Sequence, residues 1–326
     1  MFLSDFCVRE NLSYFYFILI FIFLFMQHNF RQVRKYLSII ISTFMVLISV
    51  FSTVSANAAP NILWGCAINE TQSTNDSSFG CPQKASLITG PWVLDSWEQY
   101  HTDWLSKFIL PQNQSKTPFI YSYIIAGQAR RDLGLQDCNV NYWWSLCFKG
   151  ASYLRSNRGN VIQGYKAMAT QIKRQMPNRK VMIQVEPDFY QYASGNNQQG
   201  GKLSFSEAYG VMNEITDAIK SILPNAELVM DVSPWTNDLS GWSRGFRNFS
   251  YSGIVGKWFD AWSKVDGKSY GDMSNQTGHS LIVNTAHGVG GSLNWYNRSW
   301  EFTQSGVAGV IQSSQSRQEY DNFLNR

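Results

Sequence analysis

The chain reads as an α/β protein, a TIM-like (β/α) barrel of seven or eight strands, regular or distorted. Three observations predict it. From residue 59 onward, short apolar runs alternate with segments of helical period, the pattern of parallel strands covered by helices. Residues 59–326 contain neither an internal repeat nor a linker, so they make one domain of barrel size. Finally, no Gly-rich phosphate loop follows the first strand and no G-x-S-x-G elbow is present, which removes the fingerprints of two rival α/β folds.

Taken in order, residues 61–68 are apolar enough for a first strand, and residues 94–109 have helical character. A second strand spans residues 118–125 and leads into a loop carrying Gln128, Arg131, Asp132 and Asp137. Residues 161–176 place Ile162, Tyr165, Met168, Ala169, Ile172 and Met176 on one helical stripe. Residues 180–185 form the third strand, ending at Glu186-Pro187-Asp188. The clearest helix covers residues 206–223, with Ser204 as its N-cap and Pro224-Asn225 beyond its end. Further strands are expected at 227–231, 251–255, 280–284 and 307–311.

The first 58 residues read as a leader outside the fold. Arg31, Arg34 and Lys35 precede an apolar run over residues 37–51, and Ser55-Ala56-Asn57-Ala58 follows. That order predicts a secretory signal peptide cut after Ala58, with Met26 as the translation start. The apolar run at residues 14–25 is short for a bilayer span. Secretion, extracellular or periplasmic, is the expectation; membrane anchoring through an uncleaved N-terminal segment is the alternative. Cys66, Cys81, Cys138 and Cys147 lie beyond the leader. Local pairing, Cys66 with Cys81 and Cys138 with Cys147, is the simplest of three connectivities.

The formal charge of +4, without a dense basic patch beyond the leader, gives no sign of a nucleic-acid surface. No metal is expected, because His101, His279 and His287 lack ligand spacing. No cofactor is expected either, and the domain is expected to be a monomer.

In a barrel, reactive groups sit where strands end. Asp132, Asp137, Glu186, Asp188 and Asp231 all fall at or after such ends. If the chain stays extended through Pro187, alternation points Gln184, Glu186 and Asp188 the same way. Carboxylates crowded together raise one another's proton affinity, which suits general-acid catalysis. Aromatic residues make up 15% of the chain, and all 12 tryptophans follow the leader. Indole rings stack on sugar faces, which makes Trp235, Trp143, Trp144 and Trp295, with His287 and Asn284, the candidate polysaccharide-binding residues.

These residues carry a family resemblance. Val185-Glu186-Pro187-Asp188 resembles the (I/V)-E-P-D motif of glycoside hydrolase family 6, the secreted cellulases. Arg131-Asp132 and Asp137-Cys138 stand where that family has an R-D-C element with a catalytic aspartate. Asp231 and Trp235 match a later strand-end aspartate and the tryptophan behind it, and Val283-Asn284-Thr285-Ala286-His287-Gly288 is loosely similar to D-T-S-R-N-G. The resemblance implies that Asp188 is the general acid, that Asp132 or Asp137 raises its proton affinity and helps position water, and that Asp231 supports the site. It also implies inversion at the anomeric carbon. Asn284 replaces an aspartate of the family pattern, and Gln312-Ser313-Ser314-Gln315-Ser316 lacks the family's late carboxylate. Two alternatives follow: a carbohydrate-binding barrel without catalysis, and a different barrel hydrolase using Glu186 with Asp231 or His287.

Overall fold

A computed structural model describes residues 62–67, 85–106, 115–138, 142–255, 264, 267–284 and 305–312. They belong to a compact unit, Ala59–Arg326. In chain order the elements are β1 (Leu63–Ala67), β2 (Leu87–Thr89), β3 (Val93–Leu94), α1 (Gln99–Trp104), β4 (Thr117–Tyr123) and α2 (Ile124–Leu133). A 3-10 turn (Tyr142–Trp144) precedes α3 (Leu146–Gln175), β5 (Met182–Val185), α4 (Phe189–Ser194), α5 (Phe205–Ile222) and β6 (Glu227–Asp231). Then come α6 (Leu239–Ser243), β7 (Phe249–Val255), α7 (Tyr270–Thr277), β8 (Leu281–Asn284) and β9 (Val307–Gln312).

Among the described residues every strand pairing is parallel. The order β2-β1-β9-β8-β7-β6-β5-β4 closes on itself because β2 also pairs with β4. The result is a ring of eight, the expected TIM-like barrel. The two-residue β3 takes over from β2 along the far half of β4, pairing Val93 with Ser122 and Leu94 with Tyr123.

Strand alternation sorts the side chains into two cores. Leu87, Phe119, Tyr121, Met182, Val229, Ile282 and Ile311 fill the ring. Their outward neighbours, among them Ile120, Ile183, Val185, Leu228, Met230, Leu281 and Val283, join the helices in the larger core. Gly253 on β7 is needed inside the ring, because a Cβ there would lie 2.8 Å from Gln184 Cδ and from Val229 Cγ1. Its lack of a side chain is what lets Gln184 lie across the barrel.

β6 matches the strand expected at 227–231, and α5 carries the expected N-cap. Ser204 Oγ accepts from Glu207 N at 3.2 Å while the Glu207 carboxylate accepts from Ser204 N at 2.8 Å, a reciprocal capping box. Two helices depart from expectation. α3 runs for 30 residues, through the polar stretch 155–160. Its Arg155 and Arg158 reach Glu207 at 3.2 Å and Glu214 at 2.6 Å on α5. The segment after β4 is a helix, α2, where a loop was expected. Cys138 and Cys147 are disulfide-bonded, as the spacing suggested; Cys81, the expected partner of Cys66, lies outside the described residues. The leader also lies outside them. Among the described residues no helix is long and apolar enough to cross a membrane.

Candidate active site

β5 does not continue straight through its proline. Glu186 has φ +49° and Asp188 φ +69°, so two left-handed residues flank Pro187. Non-glycine residues there carry strain on the order of 1 kcal/mol each. The expectation that Gln184, Glu186 and Asp188 share one face therefore fails at Glu186. Its carboxylate is buried outside the ring, between strands and helices. It accepts from Ile125 N at 2.7 Å, from Tyr165 Oη and from Tyr192 Oη. Burial pushes the Glu186 carboxyl up to about 7, with the two phenols and the amide pulling the other way. Gly150 on α3 permits the approach of α4, since a Cβ there would meet Tyr192 O at 2.3 Å. Glu186 thus ties the end of β5 to α2, α3 and α4, and it has no place at the barrel mouth.

The same turn delivers Asp188 to the mouth. Its backbone N–H donates to Asp231 Oδ2 at 3.1 Å, and Gln184 Nε2 donates to Asp231 Oδ1 at 2.9 Å. Tyr123 Oη, at the end of β4, lies 3.1 Å from Asp137 Oδ1 and 3.4 Å from Asp188 Oδ2. A phenol has one proton to donate, so both contacts are hydrogen bonds only when one carboxyl is itself protonated. Burial first, then the charges of Asp188 and Asp137, hold the Tyr123 phenol well above its ordinary range, and it stays a donor. Trp92 stacks on Tyr121 at 5.4 Å and meets Tyr123 edge-on at 5.5 Å, fixing that ring.

Asp188 holds its proton to higher pH than an ordinary aspartate does. Burial, then the Asp137 charge, pushes its carboxyl up to about 6 against the bonds from Gln191 and Tyr123. Asp231 is held well above the usual carboxylate range by burial and by the charge of Asp188. The same Asp137 oxygen, Oδ1, also accepts from Cys138 N at 2.6 Å, beside the disulfide. Among the described residues, no group of three or more His, Cys, Asp and Glu is placed to hold a metal ion.

Asp132 is not part of this cluster. It lies near the end of α2, eight residues and about 12 Å of helix rise beyond Ile124. There it pairs with Arg131 Nε at 2.9 Å and accepts from Tyr153 Oη at 2.9 Å. Partial burial works upward on it, but the Arg131 and Tyr153 bonds outweigh burial and hold the carboxyl below its ordinary range. Of the two aspartates left open by the sequence, the structure brings Asp137 to Asp188.

The tryptophans divide as well. Trp143, Trp144 and Trp235 are 63%, 53% and 45% exposed, whereas Trp242 is buried. The Lys149 ammonium sits 3.7 Å from the centroid of Trp144, and Trp143 packs edge-on against Phe148 at 4.8 Å. Trp235 borders a cavity of about 230 Å³ shared with Tyr190, Gln191, Asn196, Asn197 and Asn237. Asn284 is fully buried at the end of β8, so it is no exposed sugar contact. His287 and Trp295 lie outside the described residues.

Two residues in the cluster escaped the sequence reading. Tyr123 shares strand parity with Phe119 and Tyr121, which would have placed it on the inner face. Gln191, whose Nε2 donates to Asp188 Oδ1, stands three residues after it, the spacing of neighbours on a helix.

No protein-family model matches the chain, and no curated protein matches it in sequence. Solved structures do match in shape. A ruminal GH26 endo-β-1,4-mannanase superposes with TM-score 0.53 at 12% identity over 82% of this chain. This chain spans 63% of the length of that enzyme. Morphinone reductase in complex with tetrahydroNAD gives 0.51 at 10% identity, covering 79% of this chain and 84% of its own. The old yellow enzyme homologue from Zymomonas mobilis gives 0.51 at 9% identity, covering 81% and 89%. At such identities the likeness is one of fold, and barrels of this kind support many chemistries.

Proposed function

We propose that the chain is a secreted glycoside hydrolase that cleaves a β-glucan-like polysaccharide, with Asp188 as general acid. What carries the reading is the meeting of Asp188 and Asp137 on the Tyr123 hydroxyl at the barrel mouth, next to the Trp235 cavity. Asp188 gives its proton to the leaving glycosidic oxygen as the bond to the anomeric carbon breaks. Water adds to that carbon, and its proton passes to Asp137 through a second water, which balances the proton given up by Asp188. Asp231 steadies the Asp188 backbone. The similarity to the family 6 motif supports these roles, as does the barrel shared with an enzyme described as acting on a β-1,4-linked mannan. The Cys138–Cys147 disulfide fits an oxidising compartment.

One observation favours a second reading, a barrel that binds carbohydrate without cleaving it. The late segment Gln312-Ser313-Ser314-Gln315-Ser316 has no carboxylate where the family 6 pattern has one. Reducing-sugar release from soluble glucans and mannans, run beside affinity electrophoresis on the same polymers, separates the two. Release by the wild type that Asp188→Asn abolishes supports the hydrolase; retardation without release supports the binder.

A further inference from the structure

The cavity beside Asp188 is lined by uncharged groups. Asn196, Asn197 and Asn237 offer amide donors and acceptors, Trp235 offers a ring face, and no Lys, Arg, Asp or Glu lines it among the described residues. Gln191 spans from this cavity to the acid. Its Nε2 donates to Asp188 Oδ1, and with Asp188 ionised, as it is once its proton has been given up, that bond fixes the amide's orientation, because the flipped amide would set oxygen against a carboxylate oxygen. Oε1 therefore faces away from Asp188. Its neighbour there is Cys147 Sγ at 3.6 Å, a disulfide sulfur that has no proton to give. Among the described residues nothing else donates to Gln191 Oε1.

We infer that Gln191 is a positioning residue that couples occupancy of the cavity to the acid. A hydroxyl of an uncharged sugar unit, resting on Trp235, donates to Gln191 Oε1, and the polarised amide then holds Asp188 more firmly through Nε2. The inference rests on the hydrolase reading and adds a substrate class. The unit recognised is a neutral pyranose, since among the described residues no cation lines the cavity, and Lys202 Nζ, at 3.2 Å from Asn196 Oδ1, is engaged by that amide. It also separates two effects: filling the cavity speeds cleavage and does not only tighten binding.

The test compares wild type, Gln191→Leu and Trp235→Ala on β-1,4-linked gluco- and manno-oligosaccharides of increasing length, with oligogalacturonides alongside. Wild-type kcat is expected to rise about tenfold once the chain is long enough to reach the cavity, the effect of one hydrogen bond to a charged group. Q191L loses that rise. The alkaline limb of its kcat profile moves to higher pH, because the Gln191 bond is one of two that draw Asp188 down. W235A chiefly raises KM. Unchanged thermal melting of Q191L shows that it is folded. Q191L with the full length-dependent gain and a wild-type pH limb overturns the inference, as does equal cleavage of oligogalacturonides. A wild type inactive on every polymer overturns the hydrolase reading and this inference together, whereas wild-type behaviour of Q191L removes the inference alone.

Discussion

Replacing Glu186 by glutamine should change how the stability of the barrel depends on pH. The carboxyl is fully buried, and burial pushes it from 4.5 up to about 7. An acid whose folded value is raised binds its proton more tightly folded than unfolded. Its stabilising contribution is complete below about 4.5 and declines as pH rises through 7. Between pH 5 and pH 8 the loss amounts to about 2–3 kcal/mol, since each tenfold difference in proton affinity is worth about 1.36 kcal/mol. Asp188 and Asp231 are displaced in the same direction, while burial lowers His101 and His279, which act the opposite way, so the difference between variant and wild type isolates Glu186. E186Q is neutral throughout and keeps an oxygen for Ile125 N and Tyr165, while the Tyr192 hydroxyl turns to accept from the new amide. Urea unfolding followed by tryptophan fluorescence at half-unit steps from pH 5 to 8 measures the effect. The difference between variant and wild type should move in the variant's favour by about 2–3 kcal/mol over that range. Parallel curves for variant and wild type would refute the reasoning.

Two further perturbations probe the mouth. Tyr123→Phe removes the hydroxyl between Asp137 and Asp188 and with it a bond that draws Asp188 down; kcat should fall about tenfold and the alkaline limb should move to higher pH, measured on any soluble polymer that the wild type cleaves. The double variant Cys138→Ser, Cys147→Ser opens a link between residues separated by 9 positions. Loop closure of that length contributes about 2–3 kcal/mol, so the unfolding midpoint should drop. Activity should drop by more than the fraction unfolded, because Asp137 adjoins Cys138; equal losses would show that the disulfide does not position it.

Much of the barrel was legible because its strands are short apolar runs set apart by polar punctuation. β6 stands between Pro224-Asn225 and the Pro234 turn, and α5 announces itself with Ser204 and Glu207. α2 was hidden for a physical reason. It begins inside an unbroken apolar run, and its N-cap, Tyr123, makes no side-chain capping bond, so nothing in the sequence marks where strand becomes helix. Reading that segment as a loop left Asp132 and Asp137 equally eligible; the helix carries one away and leaves the other beside Cys138. The early half of α3 was masked by polar residues and Gly159, whose exposed face is held by ion pairs to α5. Glu186 was misplaced because period-two alternation assumes extended backbone, and the two left-handed residues at the proline violate it.

The assignment of Asp188 as the proton donor is tested most directly by reducing-sugar release from soluble β-glucan and β-mannan at pH 6, comparing wild type with Asp188→Asn and Asp132→Asn. Loss of the acid should lower kcat about 10²–10⁴-fold with thermal melting retained, while D132N, altered at a surface ion pair away from the mouth, should stay within about twofold of wild type. Full activity in D188N, or the large loss falling on D132N instead, would contradict the account.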